Sequence, residues 1–281
     1  MPQISLSQEG AADMEEVCIT SLRDYIDFIS DFVDHTVTYR GAKNPDSGMT
    51  PSVVRSWRRN RRIRQDLRDK PKLELWDYEA RLIEAFKRQA LPFLETVPDC
   101  HLNWLAIAQH YHLPTRLLDW TRNPLIALYF AANNRGDYMP PEEWPDVYVF
   151  MWEISGELDA QHHMLPLDRV KNLRPRGQGR ISDVESGDSR AEGIILFNPP
   201  LISSRIASQE GLFSFSEQLS ERSFPEEAAR SGLKVTQVTI PGPSRFEILT
   251  HLNMLGVETG RLFPDLTGLT AHRRWVAEWL W

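Results

Sequence analysis

At 281 residues, 41% hydrophobic and 25% charged, the chain has an ordinary globular composition and can bury a core without disulfides or metals. Two cysteines, Cys18 and Cys100, exclude a disulfide framework and a paired-cysteine metal site, which favours a reducing compartment, the cytoplasm. A net charge of -7 argues against wholesale coating of nucleic acid, and no apolar run approaches the roughly 20 residues of a membrane span, so no membrane partner is expected.

Residues 1–20 read as a flexible arm with acidic residues and no apolar signal segment. Ser21-Leu-Arg-Asp24 then reads as a capping box opening a helix with apolar Leu22, Tyr25, Ile29, Phe32 and Val33. His35 to Gly41 alternates like a strand, with Val37 and Tyr39 on one side and Thr36, Thr38 and Arg40 on the other. Seven arginines, Arg55, Arg58, Arg59, Arg61, Arg62, Arg64 and Arg68, follow within one short segment. They suit a solvated helix face or loop, or a phosphate-binding patch; only Trp57 is interleaved, so base stacking is poorly supported.

Helical periodicity returns at 73–96 and 102–110, followed by a polar loop through Asp119, Trp120 and Thr121. Asn123-Pro124 opens another helix to about Asn134, with Asn as cap and Pro in the first turn. Core strands are predicted at 146–154, 193–197, 212–215 and 234–240, with a long surface loop at 155–192. A helix follows Pro243-Ser244 and stops at Gly256, and a last one runs from Leu266 to Trp281. Helices mostly precede the run of strands, which predicts a single α+β domain over 21–281.

Four separated motifs carry a family resemblance. Tyr39-Arg40-Gly41, then His110-Tyr111 with Pro114-Thr-Arg-Leu-Leu-Asp-Trp-Thr121, then Arg205-Ile-x-x-Gln209-x-Gly211-x-Phe213, then Leu262-Phe-Pro-Asp-Leu266 resemble the FRG domain, in order. That resemblance brings no settled chemistry with it.

No Gly-x-Ser-x-Gly, Walker-type or dinucleotide fingerprint is present, and the close histidine pairs His110-x-His112 and His162-His163 lack helical metal-ligand spacing, so no metal is expected. The order of motifs is similar to that of arginine-type ADP-ribosyltransferases: Tyr39-Arg40, then a hydroxyl turn at Trp120-Thr121 leading into Ala127-x-x-Phe-Ala131, a core strand, and Gln209-Glu210-Gly211 where Gln/Glu-x-Glu would stand. This resemblance implies a mixed sheet with helices packed around it and chemistry at the nicotinamide–ribose bond of NAD. Arg40, with Tyr39, Gly41, Arg116, Trp120, Arg205 and Gln209, would hold the dinucleotide. Thr121 would position a carboxylate that stabilises oxocarbenium character. Gly211 occupies the expected glutamate position, so Glu210 would have to reach the site through a bulge. Otherwise Asp119 supplies the carboxylate, or the site binds a nucleotide without cleaving it. Taken singly, Arg116 and Asp119 can be loop braces, Trp120 core and Arg205 a charge partner. Two functions stay open: an NAD-dependent ADP-ribosyltransferase or glycohydrolase with a protein or nucleic-acid acceptor, and a non-catalytic nucleotide or nucleic-acid binding module using residues 55–68.

Overall fold

A computed structural model describes residues 14–65, 73–133, 139–154, 164–165, 171, 173–175, 177–183, 193–199 and 204–280. Its strands are β1 (Glu15–Cys18), β2 (Thr36–Ala42), β3 (Leu118–Thr121), β4 (Val147–Ile154), β5 (Met164–Leu165), β6 (Leu173–Pro175), β7 (Ile181–Asp183), β8 (Ile194–Phe197), β9 (Gly211–Ser216) and β10 (Lys234–Ile240). The helices are α1 (Leu22–Ser30), α2 (Pro45–Gly48), α3 (Ser52–Gln65), α4 (Leu75–Ala90), α5 (His101–His110) and α6 (Pro124–Ala132). After these come α7 (Ser204–Ser208), α8 (Phe224–Arg230), α9 (Arg245–Met254), α10 (Thr259–Leu262) and α11 (Leu266–Trp279). The architecture is α+β, with helices packed around one mixed sheet.

That sheet has the order β1-β10-β4-β2-β3-β9-β8-β5. The β1/β10 and β5/β8 pairs are parallel and the remaining pairs antiparallel. β4 lies near the middle of one half and is buried on both faces, which explains its nearly unbroken apolar sequence. On one face Val37, Tyr39, Val149, Met151 and Val238 meet Ile126 of α6, Leu22 and Tyr25 of α1, and Ile248 and Leu252 of α9. Across the sheet Phe150, Trp152, Leu118 and Trp120 meet Phe224 and Ala228 of α8. The other half packs Phe213, Phe215, Ile195 and Phe197 against Leu102 and Leu105 of α5.

Helices α5 and α6 are apolar nearly all round because both are enclosed. Asn123 caps α6, its side chain accepting from the Leu125 and Ile126 amides. At the far end of α6, Arg245 is 1% exposed. Its guanidinium donates to the Ala132 carbonyl and stacks over Trp144, placing a cation where the helix dipole favours one.

Three expectations are corrected. Residues 15–18 do not belong to a loose arm, because they hydrogen-bond to β10 as an edge strand. Asp119, Trp120 and Thr121 do not form a loop: they are β3, paired with β9 from Leu118–Ser214 to Thr121–Gly211. Within 155–192 the described residues include β5 and the β6/β7 hairpin, with Leu173 and Ile181 in the core. His162, His163 and Arg68 lie outside the described residues.

Candidate functional site

The two halves of the sheet meet at a seam. β2 pairs with β4 along its whole length, from Thr36–Ile154 to Ala42–Tyr148, but it meets β3 through one residue pair, Tyr39 with Thr121. Residues paired across a ladder share a face, so Tyr39, Thr121, Gly211, Asp119 and Phe213 all point to the side covered by α5 and α6. A cleft of about 490 Å³ opens at this seam, reached also by Arg40, Trp120 and Leu212 from the opposite face. Those five residues line it, with Gln109 and His110 from α5, Phe130 from α6, Arg205 and Gln209 around the end of α7, and Arg55 from α3.

Residues of the first three sequence motifs line this cleft, and the fourth packs against the third. Gly41 is fixed by packing: a Cβ there would stand 2.1 Å from the Ala127 carbonyl oxygen, so only glycine lets α6 settle on β2. Arg40 bridges the seam, its Nε donating to the Gly48 carbonyl at 3.0 Å and its Nη1 to the Asp119 carbonyl at 2.6 Å. The Asp119 carboxylate stands 3.6 Å from the same guanidinium. Thr121 donates to the Gln209 carbonyl at 2.8 Å, and the Gln209 amide donates to the Leu262 carbonyl at 3.0 Å. Arg205 stacks over Phe263, 4.5 Å from the ring centroid. The second, third and fourth motifs are thereby tied into one wall.

Asp119 is held in a set orientation. The Thr115 hydroxyl donates to Gln109 Oε1 at 2.6 Å, which turns Gln109 Nε2 toward Asp119 Oδ2 at 3.0 Å. Thr115 is itself anchored to the start of α3, where Ser52 donates to its carbonyl at 3.1 Å. Sequence reasoning missed Gln109; the available signal was its place immediately before the His110-Tyr111 motif, on the last turn of a helix facing the motif's loop. His112, whose spacing to His110 lacks a metal-ligand pattern, also lines the cleft. It sits at φ 64° just beyond α5, where Leu113 N donates back to the Ala108 carbonyl, a helix stop that usually takes glycine.

Among the described residues the cleft is rich in cations. Arg40, Arg55 and Arg205 line it against one carboxylate, Asp119. Arg55 donates to the Ser47 and Thr50 carbonyls, and carbonyls satisfy N–H groups without cancelling the charge. Burial pushes the Arg40 guanidinium below its ordinary range, while Asp119 pulls it back. Burial lowers Arg55 too, with the Arg40 cation adding to the effect and Asp119 opposing it. His110 is lowered by burial first and then by Arg205 and His112, all of which disfavour its imidazolium.

Of the predicted residues, Tyr39, Arg40, Gly41, Asp119, Trp120, Thr121, Arg205 and Gln209 border the cleft together. Trp120 does so from the core: it is 2% exposed, its indole donates to Ser214 Oγ at 2.8 Å, and its ring packs on Trp152 and Phe224. Two residues stand apart. Arg116 is buried in a pair with Glu79 and donates to the Gly179 carbonyl at 2.8 Å, which makes it a brace between α4 and the strand-end loops. Glu210 is exposed in a turn at φ 48°, not on a bulged strand, and its Oε1 accepts from Asn123 Nδ2 at 3.0 Å. The left-handed turn sends that carboxylate to the start of α6, and it is not among the groups lining the cleft.

Among the described residues no group of three or more His, Cys, Asp and Glu is placed to hold a metal ion, and no helix is long and apolar enough to cross a membrane. The fold and site together define an α+β protein with a cation-lined cleft at a split in its sheet. Residues 35–138 match the FRG domain. The match spans β2 through α6, so it contains the seam and most of the cleft wall, while β4, β9 and β10 lie beyond it. No curated protein and no solved structure matches the chain.

Proposed function

We propose that the cleft binds a dinucleotide of the NAD type. The observation that carries this reading is the convergence of three arginines and a single oriented carboxylate on one concavity of about 490 Å³, within the size range of small-molecule sites. Arginine forks suit a pyrophosphate, and carbonyl-bound guanidiniums are preorganised for it. The Tyr39–Phe130 side offers apolar surface to a base or nicotinamide ring.

The same geometry supports chemistry at the nicotinamide–ribose bond, as in the ADP-ribosyltransferases the motif order resembles. In that step the glycosidic bond breaks with its electron pair leaving on nicotinamide. The ribose C1′ then bonds to water or to an acceptor nucleophile on a protein or nucleic acid, which gives up its proton. Asp119 is the carboxylate able to face the developing cation, with Gln109 and Arg40 fixing its orientation. The cysteine usage favours the cytoplasm as the place of action.

A second reading is a binding module without catalysis. It is favoured by Gly211 standing where a glutamate would be needed and by the Asn123 contact of Glu210. One pair of experiments separates these readings: calorimetric titration of NAD into the purified protein, and measurement of nicotinamide release with and without protein or nucleic-acid acceptors. Binding with release supports the transferase or glycohydrolase reading, and binding without release supports the module. Absence of both overturns the nucleotide assignment. Arg40→Ala is expected to remove the binding heat and also to lower thermal stability, because Arg40 bridges two backbone carbonyls across the seam.

A further inference from the structure

Helix α3 is out of character for this chain. In a protein of net charge -7 it carries six arginines and no carboxylate within its 14 residues. One face is accounted for: Val53, Val54 and Trp57 are buried, and the Trp57 indole donates to the Leu73 carbonyl at 2.7 Å. A second edge is partly compensated, since Arg58 and Arg61 each approach Glu221 to 4.0 Å. Arg55, Arg59 and Arg62 stand at i, i+4 and i+7, which puts them on one face over about 10 Å of helix. All three are exposed residues. Among the described residues neither Arg59 nor Arg62 has a carboxylate partner, and Arg55 at the head of the row lines the cleft.

A row of cations that starts at a cation-lined concavity and continues outward suits a ligand whose negative charges repeat. We propose that the Arg55–Arg59–Arg62 row is a track for the phosphodiester backbone of a single-stranded nucleic acid, leading one nucleotide of that strand to the mouth of the cleft. The choice of a single strand rests on the reading of the cleft as a nucleotide pocket, because a concavity of about 490 Å³ admits a nucleotide but not a duplex. The one aromatic side chain of α3, Trp57, is buried, so the contact reads charge rather than sequence.

The test is fluorescence anisotropy of the full chain with a labelled 20-nucleotide single strand of mixed sequence, from 50 to 300 mM salt. The comparison protein is Arg59→Gln/Arg62→Gln, which alters exposed positions outside the cleft and keeps good helix formers. Loss of two phosphate contacts is expected to flatten the log–log salt dependence by about 1.4 and to weaken binding at 50 mM salt about tenfold or more. The NAD titration of the double variant is expected to match the parent. No binding of the strand by the parent at 50 mM salt overturns the proposal, as does an unchanged salt slope in the variant. Equal or tighter binding of the matching duplex overturns the single-strand assignment. Binding to vesicles of anionic lipid but not to the strand assigns the row to a membrane surface and overturns it too. Strand binding that depends on Arg59 and Arg62 in a protein that ignores NAD upholds the track while removing the dinucleotide reading, so the two failures are distinguishable.

Discussion

The pair between Arg116 and Glu79 sets apart two arginines that look alike in the sequence, and its energetics can be measured. Both Glu79 and Arg116 are 4% exposed, and the guanidinium meets the carboxylate through Nε, at 3.0 Å from each oxygen, and again through Nη2. The Arg116 amide also donates to Glu79 Oε1 at 3.2 Å. Substituting Glu79→Ala leaves a buried cation facing the Gly179 and Glu217 carbonyls alone. Removing one partner of such a pair costs about 3–5 kcal/mol, whereas replacing both by apolar side chains of similar volume is often close to neutral. Urea unfolding at pH 7 is therefore expected to show a loss of that size in Glu79→Ala, with most of it recovered in Glu79→Leu/Arg116→Met. The double variant should still bind whatever ligand the parent binds. A stable Arg116→Met protein that has lost ligand affinity would refute the argument and return Arg116 to the binding site.

Gly41→Ala is expected to destabilise by about 3 kcal/mol or more, because its Cβ meets the Ala127 carbonyl and the Ala131 amide of α6, which are backbone atoms that cannot rotate away; thermal melting measures it. His101 gives a pH dependence. Burial, helped by Lys87, Arg116 and Arg174, pushes its imidazole down to about 3 from an ordinary value of 6.5. A histidine lowered in the fold takes its proton more readily when unfolded, so its contribution is complete above pH 6.5 and falls as the pH drops toward 3. Between pH 6.5 and 5 the loss is about 1.6 kcal/mol, seen as a fall in urea midpoint that His101→Gln should reduce. If nicotinamide is released, Asp119→Asn is expected to slow it at least a hundredfold with affinity changed only a few-fold, while Glu210→Gln stays within about twofold of the parent; equal losses in both would show that Glu210 reaches the reaction.

Legibility in the sequence followed the range of the forces involved. The span 234–240 was readable to the residue because it is long, β-branched and enclosed, and α6 because Asn123-Pro124 writes its start locally. β3 was not, since four residues with a central aspartate resemble a loop until β9 pairs with them. β1 depends in the same way on β10, from the other end of the chain. The convergence of Arg40, Thr121, Asp119 and Gln209 was legible because ordered motifs with more polar residues than packing needs imply a shared cleft. The split between Arg40 and Arg116 was not: nothing near Arg116 announces that Glu79, on helix α4, will claim it. Glu210 illustrates the same limit in one residue, as a single left-handed φ redirected its carboxylate to Asn123.

The place of β10 in the sheet has a consequence for the order in which the molecule can be assembled. β10 lies between β1 and β4, yet among the described strands it is the last to leave the ribosome. Until residues 234–240 emerge, β1 has no neighbour and one edge of β4 is an open row of amides and carbonyls, a template for wrong pairing. The FRG segment meets the same difficulty, because it holds β2 and β3 but not β4 and β9, the strands that flank them. A chain cut at residue 138 would keep the tripeptide and the Asp-Trp-Thr strand and lose the ladders that hold them facing each other, so the seam exists only in the finished chain.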